Sequence, residues 1–278
     1  MMDYLVGFDP ADTSTWVGVG KAPGTYSSAL EAGALKGARI GFVTELVGDG
    51  SHPEHAWVTS ATMKAIEAMR AAGAEVIELR IPQAGHYAHN TQEISVSSFE
   101  VKWTMDAYFA GNGEKSKYRT LADYVAAAAD THPPVYQSLK RASEAKEDVL
   151  RSPEYEKRLK AQAAFRDRLV AVMDEHRLDS LFYPHQRRLV VPAAPDADQV
   201  ERNGFMGSST GLPAITVPGG FSPSSAEAPI GVPIGVEFLG RPFSESRLIA
   251  LAYAFEQQTN HRRPPASTPS LPGETFTY

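Results

Sequence analysis

A strand, a helix and a second strand follow one another over residues 37–82, and this unit constrains the fold more than any other part of the sequence. The apolar run at its start is typical of a buried strand. Residues 60–72 have the apolar spacing of an amphipathic helix that stops at Gly73, and residues 74–81 alternate as a strand up to Pro82. Two strands joined through a helix in this way lie parallel in one sheet. The unit therefore predicts an α/β fold.

The remainder of the chain contains a long helical region, further strands and a last helix. Residues 90–177 are mostly helical with a break at Pro133, and Ser152 and Pro153 have the N-cap and first-turn chemistry of a long helix. Ser244 is a candidate N-cap for a last amphipathic helix. Three apolar runs bounded by turn residues predict short strands at 181–184, 214–218 and 232–239.

The composition excludes several classes of protein. The 278 residues include no Cys, which excludes a disulfide framework, a Cys-ligated metal and a thiol nucleophile, and makes the reducing cytoplasm the expected location. The formal net charge of −6 argues against a nucleic-acid partner, because phosphates attract clustered Lys and Arg. We find neither a basic n-region before an apolar stretch nor a run of about 18 apolar residues, so we expect no signal peptide and no membrane partner.

Residues 207–211 match the pattern G-x-S-x-G, on which α/β-hydrolases mount a nucleophilic serine, here Ser209. Such an elbow needs a strand before the serine and a helix after it. Residues 201–204 have no strand pattern, and Pro213 opens a strand where the helix would be required. We interpret this segment as a Gly/Ser turn that enters a buried strand.

The histidines offer two further hypotheses. His52 with His55, and His86 with His89, form H-x-x-H pairs, but neither pair has the H-E-x-x-H spacing of a zinc site, so we interpret them as exposed loop residues and expect no metal. His185 follows a strand, at the edge where α/β sheets collect functional groups, and an acid–base role for it stays open. No phosphate-binding glycine motif is present, so we expect no cofactor.

Several segments together resemble the amidase signature family. The most specific are STGLPAITVPGG, VPIGVEFLGRPF and LAYAFE, at residues 209–220, 232–243 and 251–256. Further resemblance lies in GFDPAD, LKGARIG and LDSLFYP, at residues 7–12, 35–41 and 178–184. These segments occur in the family's order across nearly the full chain, which makes the combined match specific.

The resemblance implies a mixed β-sheet covered by helices on both faces, and hydrolysis of linear amides by a Ser–Ser–Lys triad. In the family, the Lys acts as base through a bridging Ser, and a second Ser attacks the carbonyl. Those residues lie in the family's N-terminal half, whereas the resemblance here begins at Met1–Leu5, which looks like the end of a helix. We therefore expect the C-terminal portion of a single amidase-signature domain, without a catalytic residue in this chain.

This interpretation divides the chain into an irregular linking segment (1–36), an α/β body (37–263) and an extended tail (264–278). It makes Ser208, Ser209 and His185 candidate substrate-binding residues. Residues 207–211 fall on a cleft-facing turn in the family, whereas many relatives have Thr at the position of His185, and this departure leaves the role of His185 open. The expected partners are a small-molecule amide, the missing N-terminal segment and a second copy in a homodimer. We expect this chain to supply the scaffold and part of the substrate cleft of an amidase, and to be inactive alone. The alternatives are a non-catalytic binding module or subunit, and a stand-alone hydrolase that uses Ser209.

Overall fold

The structure is a computed structural model that describes residues 1–128, 133–194, 197–264 and 273. This part of the chain contains five strands and nine α-helices. In order they are α1 (Met2–Leu5), β1 (Arg39–Val43), α2 (Pro53–Ala71), β2 (Glu75–Leu79), α3 (Pro82–His89), α4 (Ser97–Gly111), α5 (Leu121–Ala127), α6 (Pro133–Ser143), α7 (Pro153–Glu175), β3 (Ser180–Pro184), α8 (Phe205–Ser208), β4 (Ala214–Phe221), β5 (Pro233–Leu239) and α9 (Glu245–Thr259).

The strands form one mixed sheet in the order β2-β1-β3-β5-β4. β1 pairs in parallel with both β2 and β3, which confirms the parallel pair predicted for residues 37–82. β5 pairs antiparallel with β3 and with β4, so within this sheet β5 runs opposite to the other four strands. The α/β class and the mixed sheet expected from the resemblance are both confirmed.

A continuous apolar core lies between the sheet and the two helices α2 and α9. Phe182 of β3 packs on Phe238 of β5 with ring centroids 5.1 Å apart, and Phe238 packs on Phe255 of α9 at 6.1 Å. All five residues of β3 are buried. Because successive side chains of a strand point to opposite faces, both faces of the sheet are covered at β3.

The chain divides into two compact units. The first contains Met1–Ala88, Arg166–Leu189 and Glu201–Tyr278 and holds the sheet. The second contains His89–Phe165 and Val190–Val200 and is helical, with an aromatic cluster in which Phe109 packs on nearby tyrosines. The division into linker, body and tail stays a prediction, and most of the expected extended tail lies outside the described residues. No helix in the described ranges is both long and apolar enough to cross a membrane.

Two local predictions are wrong. Helix α2 begins at Pro53 rather than near residue 60, because His52 acts as its N-cap and its Nδ1 accepts the backbone N–H of Glu54. Ser244 occupies the N-cap position of α9, but its hydroxyl donates to the carbonyl oxygen of Arg241 at 2.7 Å and does not cap the helix.

Candidate functional site

A row of polar side chains crosses three strands on the face of the sheet opposite the α2–α9 core. Tyr183 of β3 pairs in register with Glu237 of β5, which pairs in register with Thr216 of β4. Residues in register on neighbouring strands place their Cβ atoms about 5 Å apart. The register of β3, β5 and β4 therefore assembles this row.

Glu237 is the centre of the site. Glu237 is only 3% exposed. A buried carboxylate destabilises the folded protein unless it is fully hydrogen-bonded. The Tyr183 hydroxyl donates to Oε1 at 2.6 Å, while Thr216 Oγ1 and His185 Nδ1 donate to Oε2 at 3.1 and 2.5 Å. Two donors from the strands on either side of β5, and a third from His185 directly after β3, thus satisfy one buried carboxylate.

His185 is anchored at one end and half-exposed at the other. It follows β3 directly, and its backbone N–H donates to the carbonyl of Gly235 at 2.9 Å. Because Nδ1–H is donated to Glu237, the neutral ring has Nε2 unprotonated and available to accept a proton. The hydrogen bond to Glu237 raises the pKa of His185 above its usual value, against the opposing effect of partial burial. His185 therefore takes up a proton more readily than a free imidazole does.

Tyr183 remains a hydrogen-bond donor throughout the physiological range. It is completely buried, and burial together with the charge of Glu237 raises the pKa of its hydroxyl well above the ordinary value. Ionisation would place two negative charges side by side inside the protein. The Tyr183 hydroxyl therefore fixes the carboxylate of Glu237 without exchanging a proton.

A small cavity opens beside His185. Its volume is about 160 Å³, and its lining includes His185, Thr216, Arg188 and Gly235. A Cβ atom at Gly235 would lie 2.9 Å from Cγ2 of Thr216 and 3.7 Å from Cβ of His185. The absence of a side chain at Gly235 therefore keeps this space open, next to an imidazole and a hydroxyl.

Asn203 supports the loop that carries His185. Its backbone N–H donates to the carbonyl of His185 at 2.8 Å, and its buried Nδ2 donates to the carbonyls of Leu46 and Pro184 at 2.8 and 2.7 Å. Gly204 follows, and a Cβ there would approach Cε1 of the His185 ring to 3.0 Å. Asn203 thus holds the backbone of His185 and of the preceding Pro184.

A second histidine is buried near this loop, and the interpretation of His52 and His55 as exposed loop residues is wrong for His55. His55 lies in the first turns of α2 and is 3% exposed. Its Nδ1 accepts the backbone N–H of Gly50 at 3.2 Å, so its Nε2 carries the proton that is donated to Glu201 at 2.6 Å. His86 and His89 also lie in a helix, α3, and are exposed. Among the described residues, no group of three or more His, Asp or Glu could hold a metal.

The two candidate serines lie at the end of the short helix α8. Gly204 is the N-cap of α8, Ser208 is its last residue and is exposed, and Ser209 follows half-buried. In the part of the chain that the structure describes, no hydrogen bond joins the hydroxyl of either serine to a His, Lys, Asp or Glu. Ser209 also precedes β4 and follows no strand, as the sequence predicts. The arrangement is not that of a nucleophile elbow.

Comparison with known proteins agrees with this architecture. A family model described as Amidase matches residues 1–249, which is most of the chain. The chain belongs to the amidase family. The peptide amidase of Stenotrophomonas maltophilia has a similar structure, with a TM-score of 0.67 and 27% identity, and the match covers 93% of this chain and 50% of that one.

Curated relatives cover the same share of this amidase-family chain. A probable amidase of Arabidopsis thaliana is 28% identical over 270 residues, which is 95% of this chain and 47% of the relative. One subunit of the glutamyl-tRNA(Gln) amidotransferase of Methanosarcina mazei is 26% identical over 297 residues, which is 95% of this chain and 54% of the relative. The chain thus spans about half the length of the curated relatives it matches.

Sequence reasoning singles out His185 but misses Glu237, Tyr183, Thr216 and Asn203. A signal for Glu237 is present, because a carboxylate between Val236 and Phe238 in an apolar strand is unusual. The period of two does not say whether such a residue points to solvent or into a covered face. The position of Asn203 carries no comparable signal, because its role depends on where the loop returns to β3.

Proposed function

We propose that this chain supplies the β-sheet scaffold and part of the substrate cleft of an amidase, which hydrolyses a carboxylic amide to an acid and ammonia or an amine. In this proposal His185 contacts the substrate, Ser208 and Ser209 line the same cleft, and the nucleophile and its base come from the N-terminal segment of the same fold. The chain alone is then inactive.

The observation that carries this proposal is the arrangement around Glu237. It offers polar groups to a substrate, but among the described residues it contains no nucleophile hydrogen-bonded to a base. Amide hydrolysis needs a nucleophile activated by a neighbouring base. His185 has the orientation of a base, with Nδ1 held by a carboxylate. However, the nearby Thr216 hydroxyl donates to Glu237, and within the described residues none is hydrogen-bonded to Nε2 of His185.

The cavity beside His185 suggests which part of a substrate this wall receives. A volume of about 160 Å³ is smaller than a whole drug-sized site and suits a group of a few heavy atoms. Nε2 of the neutral imidazole and the oxygen of Thr216, whose own proton is donated to Glu237, can accept the N–H groups of an amide. We propose that the small polar end of the amide lies here.

The family match and the length of the relatives support a site that is shared between this chain and the remaining part of an amidase. About half of each matched relative has no counterpart in this chain. The name of one relative also describes it as one of several subunits, so a member of this family can act beside other chains. We propose that this chain works in the same way, next to the remaining part of an amidase.

The activity of the isolated chain tests the proposal. We expect no ammonia release from aliphatic, aryl or peptide amides above that of the Ser209→Ala variant, and no labelling by a fluorophosphonate probe. Labelling that Ser209→Ala abolishes would overturn the proposal in favour of a Ser209 hydrolase.

Binding tests the cleft separately. We expect acetamide to shift the NMR signals of the His185 ring, and Gly235→Ala to remove that shift because its methyl group occupies the cavity. Gly33→Ala is the matched control, because a Cβ at Gly33 meets nothing within 4 Å. An unchanged His185 signal at saturating amide in the wild-type chain would contradict a substrate contact at this site.

A further inference from the structure

A second, larger groove lies on the other face of the sheet, beside helix α2. Trp57, Ser60, Ala61 and Lys64 line one wall, and their spacing of three or four residues places them on one face of the helix. The end of β4 and the chain after α9 form the other walls. The volume is about 440 Å³, within the range of sites for small molecules.

Gly219 and Gly220, at a bulge in β4, form the floor of the groove. The pairing of β4 with β5 shifts register between Pro218 and Gly220. Gly220 has φ +147°, a backbone conformation that residues with a side chain rarely adopt. A Cβ atom at Gly220 would lie 3.4 Å from Cβ of Ala61. Small residues on both elements therefore let helix and strand approach closely and leave the space above them open.

The charge of the groove is positive. Lys64, His261 and Arg263 contribute to its lining, and the described lining contains no Asp or Glu. Neither Lys64 nor Arg263 has an ion-pair partner within 4 Å among the described residues, whereas other cations such as Arg247 and Arg241 do. In a chain of net charge −6, unpaired cations that converge on one groove attract an anion.

Two aromatic rings give the groove an apolar surface. Trp57 is 39% exposed, although a side chain of this size is usually more deeply buried. The guanidinium of Arg263 lies over the ring of Phe221, 5.3 Å from its centroid. This stacking orients the guanidinium while its N–H groups remain available to a ligand.

We propose that this groove binds a small carboxylate that carries a planar apolar group, such as an aryl or arylalkyl carboxylate. Lys64 and Arg263 receive the carboxylate, the ring of Trp57 covers the planar group, and Phe221 orients the guanidinium of Arg263. His261 donates its Nδ1–H to the carbonyl of Pro218 at 3.3 Å, so its neutral ring adds no donor for the carboxylate and only lines the groove. The site is independent of the cleft at His185.

Titration calorimetry with 3-phenylpropionate tests the proposal on the full chain. We expect binding that weakens as salt is added, because exposed charges are screened beyond about 10 Å at 0.1 M ionic strength. The neutral analogue 3-phenylpropanol should bind about tenfold more weakly, and Lys64→Met with Arg263→Gln should together weaken the carboxylate by about tenfold. Quenching of Trp fluorescence should accompany binding and disappear in Trp57→Phe.

Controls separate this site from a general effect of charge. Lys157→Met with Arg80→Gln removes the same charge from exposed positions outside the groove, with side chains 77% and 85% exposed, and should leave the affinity unchanged. Equal binding of acid and alcohol, equal weakening by the control pair, or no binding of the acid at 10 mM would each overturn the proposal. None of these outcomes bears on the amidase proposal, because no turnover is measured.

Discussion

The imidazole of His185 is hydrogen-bonded through Nδ1 to the carboxylate of Glu237 at 2.5 Å, so a half-exposed ring is fixed by a group buried inside the sheet. The carboxylate is itself held by Tyr183 and Thr216. A side chain that meets a ligand is most effective when its own orientation is already determined by packing and hydrogen bonds. The register of three strands thus determines the direction of one cavity-lining ring.

We expect Glu237→Gln to lower the pKa of His185, because the hydrogen bond and charge of the carboxylate are what raise it. In the wild type the raised pKa means that protonated His185 stabilises the native state. This contribution is complete below about pH 6.5 and is lost as the pH rises through the folded-state pKa. The variant should lose this pH dependence, measured by urea unfolding at several pH values and by NMR titration of His185.

Glu227→Gln is the control for that experiment, because it makes the same change of charge at an exposed loop position. It should leave the pKa of His185 and the pH dependence of unfolding as they are in the wild type. An unchanged His185 pKa in Glu237→Gln would contradict the assigned contact.

Tyr183→Phe should reduce the free energy of unfolding by about 1–3 kcal/mol, because it leaves a buried carboxylate oxygen without its donor. Tyr155→Phe is a matched comparison, since Tyr155 donates to Glu100 at the same 2.6 Å in a half-buried setting. Water can replace the lost donor there, so we expect a smaller loss of about 0–1 kcal/mol. Equal losses in urea unfolding would show that burial of Glu237 does not matter.

Gly235→Ala should destabilise the protein by about 1–3 kcal/mol, because the new methyl group would press on Thr216 at 2.9 Å. Gly33→Ala, at an exposed position with open space around it, should change stability by less than about 0.5 kcal/mol or raise it slightly. Thermal unfolding of the two variants measures the difference. A neutral Gly235→Ala would mean that Thr216 and the cavity wall move easily.

Asp179→Ala should cost about 1–3 kcal/mol, because the carboxylate accepts the backbone N–H of Arg39 at 2.8 Å and Nε of Arg247 at 3.0 Å. Asp174→Ala removes a carboxylate that pairs with Arg241 on the surface, and exposed pairs of this kind contribute about 0–1 kcal/mol. Chemical unfolding should rank the two variants in that order. The reverse order would contradict a stabilising role for the hydrogen bonds through which Asp179 connects β1 and α9.

The sequence predicts most of the strands because their signals are local. The apolar run before Val43 and the alternation before Pro82 lie within a few residues, and Gly73 ends α2 with a positive φ of 91°. The start of α2 escapes the sequence pattern because His52 and Pro53 have the chemistry of loop residues. Histidine seldom serves as an N-cap, so its side chain gives no recognisable helix signal.

The candidate site can be predicted only in part, because its contacts join distant segments. Tyr183 and Glu237 are 54 positions apart, and His55 and Glu201 are 146 apart. Such pairs depend on strand order and register, which a single sequence specifies only through the whole fold. His185 is found because a residue directly after a strand lies at a predictable place on the sheet, whereas Glu237 needs the register of β3 and β5.

The position of β1 between β2 and β3 has a consequence for synthesis at the ribosome. Its first neighbour, β2, emerges soon after it, but the contact between Arg39 and Asp179 joins residues 140 positions apart. One edge of β1 therefore waits, unpaired, while the whole helical region is translated. Nascent strands in this condition pair readily with other chains, so this edge of β1 is open to such pairing until β3 has emerged.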